Sequence, residues 1–317
     1  MSLALRRALP KSFALAQILL FAYLLSAILP EYKKDIYRVW MEILPFAAGL
    51  TVALSLPYFI FCEKVLGPKR DLYQYVGRYT LFVFLYRIWT RPFLRQAALL
   101  WAVKLFFLPI MIGSLHFSVV FLSNNLPSQS FTDFFKFFDL TWELILAMDV
   151  TLAVVGYVCS LRLLNTSVIS TDPTWRGWVA TLICYSPFST VLYGSYLTYE
   201  DGLRWGHFFH GHHTAYVIYG STLLFLHSLY LTASLNFGIR YSNLSHRGIL
   251  TDGLFRFTKH PAYLFKNIVW WMIGLPFITN QGAGVAFANC FLLFCVNAVY
   301  WWRARTEEMH LSRDPAY

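Results

Sequence analysis

Eight apolar stretches, each long enough to cross a bilayer, constrain this chain more than any other feature. They are Phe13–Leu29, Trp40–Cys62, Ala97–Leu122, Leu140–Leu164, Gly177–Leu197, Tyr216–Leu235, Ala262–Thr279 and Gly282–Trp302. A spanning helix needs about 20 mostly apolar residues, because each adds about 1.5 Å toward a hydrocarbon core of about 30 Å. Within that core every backbone N–H and C=O must find its partner inside the protein, which makes helices the expected form. Charge content agrees, since 13% of the residues are charged where a soluble domain carries about 25%. The expected fold is all-α: a polytopic integral membrane protein with about eight transmembrane helices.

One further stretch, Leu72–Gln96, is apolar without interruption only between Arg78 and Arg87. That gives about 12 Å of helix, too short to span, so an aromatic, basic, amphipathic helix lying in the interface is expected. The formal charge of +10 does not point to nucleic acid, because the Lys and Arg residues are divided among the loops. With the N-terminus in the cytoplasm, 20 of the 26 fall on inside segments and 5 on outside ones, Lys104 lying within a span. The positive-inside rule then puts both termini in the cytoplasm, in a plasma, inner or endoplasmic-reticulum membrane. The five cysteines have no CxxC spacing and lie in or beside apolar stretches, as buried small hydrophobes do.

Two charges inside expected spans, Lys104 and Asp149, would most simply pair with each other, because intramembrane charges are costly alone. A polar loop at Asn165–Thr174 divides the chain softly. Residues 1–168 form an N-terminal transmembrane region of unreadable role, and residues 169–317 hold most of the histidines and the two motifs below.

The first motif is Thr251–Tyr263, TDGLFRFTKHPAY. Gly253 permits a turn, and Pro261 suits the first turn of a helix. His260 then sits at a helix N-terminus whose free N–H groups favour anions. Arg256 and Lys259 add positive charge, and Phe255, Phe257 and Tyr263 add flat surface. The second motif is Arg303–Glu308, RARTEE. Arg303 and Glu307 are four apart and share a helix face. The short Pro276–Gly284 connection between the last two spans should bring both motifs to one side of the membrane. An interfacial loop with snorkelling cations would use the same residue types.

The pattern G-x-x-R-x-x-(R/K)-H-P-x-Y, an apolar hairpin and then R-x-x-x-E-E resembles the membrane-embedded methyltransferase group. That group includes isoprenylcysteine carboxyl methyltransferases and phospholipid methyltransferases. Gly253, Arg256, Lys259, His260, Pro261, Tyr263, Arg303, Glu307 and Glu308 carry the resemblance, over roughly Ser245–Tyr317. Lys259 departs from the usual Arg. The resemblance implies S-adenosylmethionine as methyl donor, in a pocket open to the cytosol, without a metal. Gly253, Lys259, His260, Pro261, Tyr263, Glu307 and Glu308 would bind the donor, with Arg303 and Glu307 as the catalytic pair. Arg303 would orient the acceptor, an amphiphilic or prenylated small molecule or protein reached through the lipid bilayer, with a carboxylate the leading choice.

Two other enzyme classes fit parts of the sequence. Membrane sterol and steroid reductases, which use NADPH, carry a similar RHP-x-Y segment. They typically have Asn where Ala262 stands and lack the Glu pair. The run His207, His210, His212 and His213 has a spacing open to a transition metal, as in a histidine-box oxidase or hydroxylase. Histidines 116, 227, 246, 260 and 310 make no second box, and solvated loop histidines are the simpler reading.

Overall fold

In a computed structural model, which describes residues 2–68, 73, 74, 77, 92–126, 133–189, 205–209 and 211–317, the described residues are mostly helical with almost no strand. In chain order the helices are α1 (Leu3–Ile28), α2 (Arg38–Val65), α3 (Pro92–Asn125), α4 (Phe134–Val158), α5 (Trp175–Leu182), α6 (Trp205–Phe208), α7 (His213–Leu235), α8 (Pro261–Gly274) and α9 (Ala283–Leu311). Among the described residues, five (α1, α2, α3, α7 and α9) are long and apolar enough to cross a membrane. They match five of the eight expected spans.

The other three expected spans take different forms. Leu140–Leu164 is represented by the 25-residue α4. Gly177–Leu197 starts in the short α5, and its part from residue 190 lies outside the described residues. Ala262–Thr279 yields α8, whose 14 residues reach about 21 Å, less than the hydrocarbon thickness. Residues 78–91 of the expected interfacial helix lie outside the described residues, while Pro92–Gln96 belong to the first turns of α3.

Local chemistry explains four of the helix starts. The Ser2 hydroxyl accepts from Leu5 N at 3.3 Å to start α1, Asp133 caps α4 through Phe135 N at 3.0 Å, and Thr174 caps α5 through Gly177 N at 3.2 Å. Proline at the first position starts α8. Along α9, Phe287, Phe291 and Phe294 form one exposed stripe, suited to lipid and not to water.

α1 packs on α2, α3 on α4, and α4 and α8 on α7, while α5 lies against α9. A two-residue antiparallel ladder, Ser170 with His246 and Thr171 with Ser245, ties the segment after α4 to the α7–α8 connection. Val103 and Phe107 of α3, Ala153 and Tyr157 of α4, and Leu244 of that connection share one buried cluster. Gly156 makes this approach possible: a Cβ there would stand 2.2 Å from the Tyr241 carbonyl oxygen. The ion pair expected between Lys104 and Asp149 does not form. Asp149 Oδ2 accepts from the Tyr230 hydroxyl at 2.7 Å, and the Lys104 ammonium lies 5.4 Å from the Trp101 ring centre.

Candidate active site at the meeting of α8 and α9

The start of α8 and the end of α9 converge although the two helices touch little along their length. His260 occupies the N-cap of α8 without using its side chain as a cap. Its ring is left to reach α9, with Nδ1 3.6 Å from Glu307 Oε2 and Nε2 3.3 Å from Glu308 Oε1. One turn on, the Tyr263 hydroxyl donates to Glu307 Oε1. The His260 and Tyr263 rings lie parallel, 5.5 Å apart. Arg303 is 4% exposed. Its Nε donates to Glu307 Oε1 at 3.2 Å and its Nη2 to Asn243 Oδ1 at 2.8 Å, and its guanidinium lies 5.1 Å from the Tyr263 ring centre. Glu308 also accepts from the exposed Arg305 at 2.9 Å.

These groups border a cavity of about 230 Å³. Lys259, His260, Pro261, Tyr263, Arg303 and Glu307 all line it. Glu308 reaches it through His260. Lys259 places its ammonium 4.9 Å from the Tyr317 ring centre. Gly253 is placed elsewhere: it opens a 3₁₀ turn at φ +60°, and a Cβ would stand 2.3 Å from the Asn236 side chain. Its place in the motif is explained by backbone conformation and crowding.

The opposite wall comes from the α7–α8 connection, which the motif reading missed. Residues 241–250 line the cavity throughout. Asn243 joins this wall to Arg303 and receives a contact from each of two distant helical regions. Its backbone N–H donates to the Tyr157 hydroxyl at 3.1 Å, and its amide to the Tyr185 hydroxyl at 3.2 Å. Arg247 is buried, donating to the carbonyls of Gly156 at 2.7 Å, Tyr241 at 3.1 Å and Thr166 at 2.6 Å. Burial, and then the nearby Arg240, lowers its guanidinium to about 10, so it stays cationic at neutral pH. His246 Nδ1 accepts from Gly248 N–H at 3.3 Å, leaving Nε2 to face Asp314 at 2.6 Å. The Ala316 backbone N–H and the His246 side chain hold the Asp314 carboxyl below the usual carboxylate range. Nothing in the motif spacing signals Tyr157 or Tyr185; Tyr157 comes from α4 and Tyr185 from the segment just after α5.

The histidine run is remote from this cavity. His213 starts α7, while the cavity contacts Tyr230 and Ser234 near its other end, about 25 Å or more along the axis. His210 lies outside the described residues. Among the described residues no group of three or more His, Cys, Asp or Glu side chains gathers as a metal ion would require.

Residues 212–313 match the isoprenylcysteine carboxyl methyltransferase (ICMT) family. That segment is about a third of the chain. It contains α7, the connecting wall, α8 and the whole of α9. The match supports the membrane methyltransferase group for the region that builds the site. No curated protein and no solved structure matches the chain. Within the ICMT-like region, His260, Tyr263, Arg303 and Glu307 form one connected polar cluster, whereas Gly253 shapes the turn that leads to it.

Proposed function

We propose that this protein is a membrane methyltransferase that moves a methyl group from S-adenosylmethionine to a lipid-like acceptor, with a carboxylate as the receiving group. One observation carries the reading: a family match spans both motifs, and the side chains of those motifs close on a single cavity. The residues present fit the donor. Glu307 and Glu308 suit its ammonium end, and the faces of Tyr263 and Tyr300 suit a sulfonium cation.

When bound, S-adenosylmethionine supplies an electrophilic methyl group, which an acceptor oxygen takes as the C–S electron pair returns to sulfur. No proton has to move if the acceptor is already a carboxylate. The chain's task is then alignment and exclusion of water. Tyr263 and Arg303 lock Glu307 in one orientation. His260 spans the two carboxylates. Arg303 and Asn243 set the distance between the α9 wall and the connecting loop. Residues 169–317 would form the methyltransferase core. The N-terminal region would buttress it, as the carbonyl contacts of Gly156 and Thr166 with Arg247 suggest. The charge asymmetry of the loops supports a cytoplasmic cavity and cytoplasmic termini, with the acceptor arriving through the bilayer.

Calorimetric titration of the detergent-purified protein tests the donor. Binding of S-adenosylmethionine with no binding of NADPH is expected. The reverse result would replace methyl transfer by reduction.

A further inference from the structure

Lys266 lies three residues beyond Tyr263 on α8 and lines the same cavity. Its ammonium stands 5.9, 5.2 and 5.3 Å from the ring centres of Tyr230, Trp270 and Tyr300. Rings from α7, α8 and α9 thus converge on one cation. Aromatic faces attract a cation but leave its charge uncancelled. Among the described residues no carboxylate forms an ion pair with Lys266. Asp149, behind Tyr230, is engaged by the Tyr230 hydroxyl instead.

Arg303 is in the opposite condition. It is buried, its charge is paired with Glu307, and its Nη2 donates to Asn243. The cavity as a whole is lined by five Lys and Arg side chains against the carboxylates of Asp172 and Glu307. The donor cannot restore the balance, because its sulfonium and ammonium outnumber its one carboxylate. Even with Glu308 and Asp314, which contact the lining His260 and His246, the cations outnumber the carboxylates five to four, which favours an anionic second ligand.

We propose that Lys266 is the acceptor-selecting residue: its caged ammonium receives the anionic head of the amphiphile, a carboxylate, one helical turn further along α8 than Tyr263. This inference rests on the methyltransferase reading above. The cage holds a long side chain in place before the acceptor arrives, so little rotamer freedom is left to lose on binding. An interfacial lysine that merely packs its stem on aromatics would affect stability and not ligand charge preference.

The test uses N-acetyl-S-farnesyl-cysteine and its carboxamide, which differ in charge at one group. Their binding is measured on the full-length protein in detergent, for the wild type, Lys266→Gln and Lys266→Arg. Donor binding is titrated in parallel on each. The wild type should prefer the carboxylate by about tenfold or more, the scale of a hydrogen bond to a charged group. Lys266→Gln should bind the two forms alike, Lys266→Arg should keep part of the preference, and all three should bind the donor equally. A wild type without the preference, or a donor-competent Lys266→Gln that retains it, overturns the proposal. A wild type that binds no S-adenosylmethionine overturns the underlying reading, and this is seen in the donor titration independently of the carboxylate comparison.

Discussion

Two buried charge pairs in this molecule are built for opposite ends. Between α1 and α2, Lys11 and Glu63 meet at 2.7 Å with both side chains 2% exposed. Between α8 and α9, Arg303 is equally hidden, but its partner Glu307 keeps 27% of its side chain open to the cavity. The first pair is sealed and joins two helices. The second is half-open, and its carboxylate is held by Arg303 and Tyr263 while an edge remains available. A charge pair inside a membrane protein therefore reads as structure or as site according to which partner retains access, and not according to distance alone.

Removing one member of each pair should break the comparison most visibly. Glu63→Ala removes the carboxylate that meets both buried Lys11 and Arg7, and breaking a buried pair costs about 3–5 kcal/mol. A large fall in thermal stability in detergent is expected, with donor affinity unchanged in the protein that stays folded. Unchanged melting would mean that the pair is not sealed. Tyr263→Phe probes the open pair more gently. It deletes one hydrogen bond to Glu307, and the loss should be about 1–2 kcal/mol in donor affinity, roughly tenfold, with little change in melting. Isothermal titration of this variant reads the effect directly.

The smallest effect is expected at Asp314. Its carboxyl is held below its ordinary value by Ala316 and His246. A depressed carboxylate stabilises the fold above its unfolded value of about 3.9, and this contribution is lost as pH falls through the folded value. Hydrogen exchange over residues 245–250 should therefore stay slow at neutral pH and rise only below about pH 4, the ordinary carboxylate range. Asp314→Asn should raise it slightly at all pH values. A transition well above pH 4 would mean that Asp314 does not control this contact.

Much of the site could be read from residue spacing. Pro261 at the first position of α8, and Arg303 four residues before Glu307, carry their geometry in the local sequence. The long apolar helices could be read from length alone. What spacing could not supply was the other wall of the cavity. Asn243, Arg247 and Lys266 are ordinary polar residues near a membrane boundary, counted above only as loop cations or not at all. Their settings depend on Tyr157, Tyr185 and Tyr300 and on the carbonyls of Gly156 and Thr166, all distant from them in the chain. The Lys104–Asp149 expectation failed for a related reason. It considered charge partners only, whereas a tyrosine hydroxyl on α7 bonds one oxygen of Asp149 and an indole ring faces Lys104. Gly253 shows the converse: a residue within a functional motif whose surroundings call for glycine on backbone grounds.

The account depends on Glu307 being a donor ligand and not only the structural partner of Arg303 and Tyr263. Titration of S-adenosylmethionine into Glu307→Ala, alongside the wild type and with melting recorded for both, tests this most directly. The account predicts a protein that stays folded, with melting lowered by the loss of the carboxylate that pairs with buried Arg303, and binds no donor. A Glu307→Ala protein that binds S-adenosylmethionine as the wild type does would contradict it.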